Sequence, residues 1–249
     1  MRDVTFTYDE KCRGEFSSLF SRVKHLFVSI DIGCPYGLPS VARFHQATFA
    51  PLSERAMELF LTAGYRRNGN CLYNMQCPNC SSCIPIRLHP AEFRPNRNQK
   101  RTLKKNVDVE MTILPLRPNR ETLALCEKFL RNRYPRENNN APGYYRDFFL
   151  NSIVNSAQIQ YRVDGRLLGV SIVDIGYNWI NAVYFYFDPD ESRRSLGTYN
   201  VLQLIDLCME WDVEYLYLGY LIHSVPAMSY KSNFRPHYIV SDNKWCCIK

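Results

Sequence analysis

The spacing of apolar positions changes along the chain, and each change marks a different kind of element. From Phe16 to Ile30, Leu19, Phe20, Val23, Leu26 and Phe27 recur at helix-like intervals, an amphipathic lead-in. Cys34 to Pro39 packs two prolines and a glycine into six residues and is a turn. Phe44 to Ala50 is strand-like, and Ser53 is an N-cap for the helix ERAMELFLTAG, closed by Gly64. Short strands are expected at Cys71 to Asn74 and at Ile84 to Leu88, the latter with Arg87 on the face opposite its neighbours. A helix follows Pro95, and Val107 to Leu114 reads as a strand. Pro115 to Asn119 is a linker, and Glu121 to Tyr134 is a helix with Leu123, Cys126, Phe129 and Leu130 on one face. RENNNAPG is a polar surface loop, and Tyr144 to Val154 a second helix. The period then falls to two: AQIQYRV, Asp164-Gly165, RLLGVSIVDIG, a Tyr177-Asn178 turn, and WINAVYFYF. Asp-Gly between two such runs signals a hairpin. Residues 198–211 form a helix, with Val201, Leu204, Ile205, Cys208 and Met209 at helical spacing, and Glu214 to Leu218 a last strand.

Composition bounds what such a chain does. Its 249 residues, 46% hydrophobic and 22% charged, suit one large globular domain or two small ones. The net charge of +7 favours a polyanionic partner. No apolar run is long enough to span a bilayer, so no membrane role is expected. The opening MRDVTFTYDEKCRGEF carries early acids and no apolar core, so no secretory signal is expected. The ten cysteines are then expected in a reducing cytoplasm, as thiols or metal ligands rather than disulfides.

Three stretches carry chemistry. In CPNCSSC, Cys77, Cys80 and Cys83 are two residues apart, with Cys34 and Cys71 nearby in sequence. Thiolates at that spacing close on one metal ion or an iron–sulfur cluster; the alternative is small buried residues packing a tight loop. In FRPNRNQKRTLKKN, Arg97, Lys100, Arg101, Lys104 and Lys105 fall at i, i+3, i+4, i+7 and i+8, one face of a helix. Cations crowded on one face repel unless nucleic-acid phosphate neutralises them, although a solvated basic helix has the same pattern. In YFYFDPDESRRSLGTY, a strand (Val183 to Phe187) leads through an acidic turn and a basic loop into the mouth of a helix. Such a loop offers backbone N–H groups and the positive end of a helix dipole to phosphate. Arg194-x-x-Gly197-x-Tyr199 nearly reproduces the loop with which GNAT acyltransferases hold coenzyme A, but a tyrosine replaces the last small residue. An ordinary strand–loop–helix joint with solvated arginines is the other reading. Near the C-terminus Tyr220, Tyr230, Phe234 and Tyr238 interleave with Lys231 and Arg235, a combination suited to stacking a base while holding its phosphate, or to packing a sheet edge.

The element order of the second half is that of a GNAT-like (acyl-CoA N-acyltransferase-like) α/β domain, a mixed sheet flanked by helices. The expected division is residues 1–115, a Cys-containing and basic N-terminal region, and residues 116–249, a GNAT-like transferase domain. Cys34-Pro35-Tyr36, GYRRNG, CPNCSSCIPIR, FRPNRNQKR, YFYFDPDESRRSLGTYNVLQ and LGYLIHSVPAMSYKSNFRP lie in order over most of residues 34 to 236. On these stretches the chain resembles the bacterial leucyl-tRNA–protein transferases of the N-end rule, relatives of the eukaryotic arginyl-tRNA–protein transferases. It departs from them at Gly37-Leu38-Pro39 and at His223.

The resemblance implies a cytoplasmic aminoacyltransferase that moves leucine from leucyl-tRNA to the α-amine of proteins beginning with Asp or Glu, with the degradation machinery only an indirect partner. No cofactor is required, since the ester is already activated. Eukaryotic relatives bind an iron–sulfur cluster through N-terminal cysteines, which makes Cys34, Cys77, Cys80 and Cys83 candidates for such a cluster or for zinc. Oxyanion stabilisation falls to Tyr186 and Tyr220 and to the loop N–H groups at Ser195 to Gly197. The acceptor's carboxylate needs a planar cation, for which Arg66, Arg67 and Arg87 are candidates. Arg194 and Lys231 would hold the terminal phosphates of the tRNA, and the basic helix its acceptor stem. The rival readings are arginine as the donated residue, an acyl-CoA-dependent acyltransferase, and a non-enzymatic RNA-binding module.

Overall fold

A computed structural model describes residues 2–135 and 139–249, with side chains from residue 8 onward. Arg136, Glu137 and Asn138 of the expected polar loop lie outside the described residues. In chain order the elements are α1 (Arg2–Val23), β1 (Val28–Gly33), β2 (Val41–Thr48), α2 (Glu54–Thr62), β3 (Arg66–Asn68), β4 (Cys71–Met75), β5 (Ile84–Leu88), α3 (Arg97–Lys105), β6 (Glu110–Pro115) and α4 (Arg120–Arg133). There follow α5 (Ala141–Tyr144), β7 (Ser156–Val163), β8 (Arg166–Ile175), β9 (Trp179–Phe187), α6 (Leu196–Glu210), β10 (Tyr215–Leu221), α7 (Pro226–Ser229), β11 (His237–Ser241) and β12 (Lys244–Ile248). They group into two units, one of residues 1–88, 152–154 and 217–249, the other of residues 89–151 and 155–216. The chain therefore returns to its first unit after residue 216, where a single cut near residue 115 would keep the C-terminal half whole.

The first unit holds an antiparallel sheet in the order β1-β2-β4-β3. Helical spacing over Phe16 to Ile30 describes α1 only to Val23. Beyond it the alternating Val28, Ile30 and Ile32 favour a strand, and β1 forms as an edge strand with Asp31 paired across to Arg43 at 2.7 Å. Ser53 caps α2 by accepting from the Ala56 N–H at 3.2 Å. Phe16 of α1 meets Phe60 of α2 edge-on at 5.5 Å, and Phe20, Phe27, Phe49 and Tyr65 extend this aromatic cluster. The C-terminal segment adds a hairpin, β11–β12, turning at Asp242-Asn243 with both residues at positive φ. β11 pairs with β5, setting Tyr238 opposite Arg87. Arg87 is fully buried, pairs with Asp9 at 2.7 Å and lies 4.3 Å from the Trp245 ring, whose Nε1 donates to the Thr62 carbonyl at 2.9 Å.

The second unit is built on the antiparallel run β6-β7-β8-β9. Asp164 and Gly165 both take positive φ, as the tight hairpin between β7 and β8 requires. Asn119 and Thr122 close a capping box at the start of α4. Leu125, Cys126, Phe129 and Leu130 of α4, with Tyr145 and Phe149, pack on Val170, Ile172 and Tyr186. Tyr161 and Phe185, one residue out of phase with that face, point the other way; Tyr161 donates to Asn200 of α6 at 2.9 Å. Helices thus cover both faces. The helix expected over Tyr144 to Val154 ends at Phe149 after a π-turn, because the polar stretch beyond makes other bonds: Asn151 Nδ2 donates to Ser156 Oγ at 2.8 Å. The element order expected of the transferase half, from the α4 helix to β10, is present. Among the described residues no helix is long and apolar enough to cross a membrane.

Candidate functional site

In the first unit, the chain leaving α2 turns at Gly64 and drives Arg66 inward, where it is 4% exposed. Its Nη1 donates to the Tyr65 carbonyl at 2.6 Å and its Nη2 to the Gly219 carbonyl at 2.9 Å. Its Nε has no hydrogen-bond partner, and among the described residues no carboxylate pairs with it. Burial disfavours its charge, but a guanidinium does not surrender its proton in a protein. The group is instead stabilised by carbonyl dipoles and by the rings of Tyr220 and Tyr217, at 5.4 and 5.8 Å.

Gly219 bends β10 here with φ +73°, a conformation costly for any residue with a Cβ. The next carbonyl, of Tyr220, accepts a hydrogen bond from Lys231 Nζ at 2.7 Å. A Cβ built on Gly219 would lie 3.8 Å from that nitrogen. Burial, and secondly the Arg66 charge, lower the Lys231 pKa to about 7. The Tyr220 hydroxyl donates to the Gly64 carbonyl at 3.3 Å, and its ring meets Tyr73 edge-on at 6.3 Å. Burial pushes Tyr220 well above the ordinary phenol range and Tyr73 up to about 12. Tyr36, in the turn after β1, is near enough to Tyr73 and Tyr220 to feel both. The result is a partly buried, electropositive cluster rich in phenols, able to hold an anionic group and to exchange a proton near neutral pH.

Lys231 therefore faces inward rather than toward solvent phosphate. Arg67 is buried and already engaged, and Arg87 is held by Asp9. Arg66, unlike Arg87, is a buried cation whose side-chain hydrogen bonds go to backbone carbonyls, with no carboxylate among the described residues. Local pattern does not single out Tyr36, Tyr73 or Gly219 as site residues, although Tyr36 and Gly219 lie in stretches that carry the resemblance; long-range packing brings them together.

The four cysteines are half-buried free thiols. Cys83 is pushed up to about 12 by burial, with Cys77, Cys34 and Cys80 adding to the effect, so the four stand within electrostatic reach of one another. Cys77 Sγ accepts from the Arg43 N–H at 3.4 Å, and Cys80 lies 3.3 Å from Ser82 Oγ, which lowers its pKa. Among the described residues no three His, Cys, Asp or Glu side chains are arranged to hold a metal ion. Burial thus holds the Cys83 thiol protonated, whereas the contact to Ser82 favours the Cys80 thiolate.

In the second unit, Asn96 and Gln99 close a capping box that starts α3. Gln99, Thr102 and Asn106 are buried, which turns Arg97, Lys100, Arg101, Lys104 and Lys105 outward and exposed. Among the described residues none of these five cations pairs with a carboxylate; Arg101 reaches only Asn98 Oδ1 at 3.5 Å, and Lys105 donates to the Arg193 carbonyl at 3.3 Å. Arg193 is exposed beside them. Arg194 is different: its guanidinium grips Asp108 at 2.7 and 2.8 Å and Glu191 at 3.1 Å, so its charge is already neutralised. Ser195 takes a left-handed conformation before α6, and space is open around Gly197. Tyr199 is buried and packs on Tyr161 at 5.7 Å. Tyr186 is fully buried with its hydroxyl 2.5 Å from that of Tyr145.

Residues 33–101 match the family model for the N terminus of arginine-tRNA-protein transferase, and residues 121–241 that for its C terminus. Three similar proteins carry the name aspartate/glutamate leucyltransferase. That of Pseudomonas fluorescens (strain Pf0-1) is 36% identical over 189 residues, 74% of this chain and 80% of its own. That of Methylobacillus flagellatus is 38% identical over 184 residues, 73% and 74% of the two chains. That of Thiobacillus denitrificans is 33% identical over 233 residues, 92% and 97%. Solved structures that it resembles include L-PGS from Bacillus licheniformis (TM-score 0.44, 12% identity, 70% of this chain and 52% of that one). Another is a GCN5-related glucosamine N-acetyltransferase region in a fungal multi-domain β-N-acetylglucosaminidase (TM-score 0.43, 11% identity, 89% and 24%).

Proposed function

The chain belongs to the arginine-tRNA-protein transferase family, and from that premise we propose that it moves leucine from leucyl-tRNA to the α-amine of polypeptides beginning with aspartate or glutamate. It is an aminoacyltransferase; the names of its relatives favour leucine over arginine and an acidic acceptor. The acceptor nitrogen attacks the ester carbonyl of the charged tRNA. The new C–N bond forms, the C–O bond to the ribose breaks, and the proton lost by nitrogen ends on the ribose oxygen. A free α-amine titrates at about 7.7–8.0, so a useful fraction is neutral at cellular pH. Orientation and charge placement then carry most of the rate.

The observation that carries this reading is Arg66, a buried guanidinium with no carboxylate of its own. The acceptor's side-chain carboxylate supplies the missing anion. The Tyr220 hydroxyl, beside it, is the candidate oxyanion donor. The five exposed cations of α3 hold the tRNA backbone. With leucyl-tRNA as substrate the reaction runs in the cytoplasm, and the product's new N-terminus connects it indirectly to degradation. Tyr199 fills the position where a coenzyme A loop keeps a small residue, which disfavours an acyl-CoA donor.

The test is mass spectrometry of a peptide beginning with Asp after incubation with leucyl-tRNA, with arginyl-tRNA in a parallel tube and an Asn-initiated peptide as control. Leucine is expected on the Asp peptide alone. Arginine addition would overturn the donor, and equal modification of the Asn peptide would overturn the carboxylate role of Arg66.

A further inference from the structure

Holding the acceptor carboxylate uses Arg66 and leaves Lys231 without a task. Lys231 sits in the turn after α7 and is half-buried. Its nitrogen makes one 2.7 Å bond to the Tyr220 carbonyl and one 3.7 Å contact to Met228 Sδ. The charged group that acts on it is Arg66 from β3, and its bond to β10 is to the backbone of Tyr220, whose ring packs on Tyr73 of β4. Among the described residues neither Lys231 nor Arg66 pairs with a carboxylate. Two cations that act on each other in a partly buried site repel, and only the lysine can relieve the repulsion by giving up its proton. The missing side chain at 219 leaves the approach to the nitrogen open on that side. An inward amine of this kind is poorly placed to grip tRNA phosphate, which exposed cations such as those of α3 do better.

We propose that Lys231 is the general base of the transfer, taking a proton from the acceptor nitrogen as it attacks and returning it to the departing ribose oxygen. The reading rests on the aminoacyl transfer proposed above and on the acceptor carboxylate being held at Arg66, which sets the acceptor's amine beside Lys231. No net proton is gained or lost: the C–N bond forms, the C–O bond breaks, and Lys231 ends as it began. The neutral form of the lysine is the active one, so the rate rises as pH rises through about 7.

The experiment is the pH profile of kcat/KM for an Asp-initiated peptide under saturating leucyl-tRNA. Two groups, Lys231 and the acceptor amine, must both lose a proton, so the logarithm of the wild-type rate is expected to climb with a slope of two at low pH. In Lys231→Met the slope falls to one and the rate drops by about 10²–10⁴-fold, while leucyl-tRNA affinity is unchanged. Ethylamine in the buffer should restore part of the activity of Lys231→Ala. Lys231→Arg within a few-fold of wild type would overturn the proposal. So would loss of tRNA affinity with normal transfer at saturating tRNA, which would make Lys231 a phosphate ligand. A wild-type slope of one overturns it even where the variants fail to fold. Absence of leucine transfer by the wild type would instead overturn the parent reaction, and the proposal with it.

Discussion

The outward face of α3 makes a quantitative prediction about salt. The helix presents five cations with no carboxylate partner among the described residues, so each is available to a phosphate. Each phosphate neutralised contributes about 0.9 to the slope of log affinity against log salt, so five give a slope of about −4.5, an affinity loss of about 500-fold between about 50 and 200 mM salt. Replacing Lys100 and Arg101 with glutamine keeps helix propensity nearly constant and removes two of the five charges. The slope should fall to about −2.7 and the loss over the same range to about 40-fold. Fluorescence anisotropy of labelled tRNA titrated with protein across a salt series measures both slopes. Transfer at saturating tRNA should be unaffected, because the proposed role of these residues is to hold the stem and not to touch the ester. A double variant with the wild-type slope would refute the assignment, as would a wild-type slope near zero.

Asp9→Asn should destabilise the protein by about 3–5 kcal/mol in urea unfolding, because it strands the fully buried Arg87 charge; a loss under 1 kcal/mol (about the value of a surface pair) would count against that pair. Tyr186→Phe should cost about 1 kcal/mol in stability through its bond to Tyr145. It should change transfer by less than a few-fold, whereas loss of an oxyanion donor would slow transfer by about 10²-fold or more. Lys231 has a folded pKa of about 7 against an ordinary value of 10.5, so the unfolded chain binds the extra proton between the two. Stability should therefore rise with pH over that interval, and Lys231→Met should remove that part of the rise in urea midpoints measured across it.

What local pattern encodes is found where local pattern expects it. The Asp164-Gly165 hairpin, the Ser53 cap and the basic face of α3 are each fixed by residues a few positions apart. Errors begin where a distant partner decides. The lead-in helix stops at Val23 because β1 pairs with β2, and the C-terminal segment closes as the β11–β12 hairpin, whose one local sign is Asp242-Asn243 between apolar runs. In the site, the cations are visible in sequence but their states are not. Arg194 looks like a phosphate ligand until Asp108, 86 positions earlier, is seen to hold it. Arg66 is buried, and one of the carbonyls that holds it, that of Gly219, lies 153 positions away. Lys231 is set apart from the α3 lysines only by the burial of its nitrogen.

The return of residues 217–249 to the first unit has a consequence for synthesis. On the ribosome the second unit, 89–151 and 155–216, is complete while the C-terminus is still being made. The first unit is not: β5 waits for β11, Arg87 for the Trp245 ring, and Arg66 for the carbonyl of Gly219. The aromatic N-terminal segment must therefore remain unfinished until the last strand emerges. The cluster joins residues near 66 to residues 219–231, so it cannot form before the latter are made.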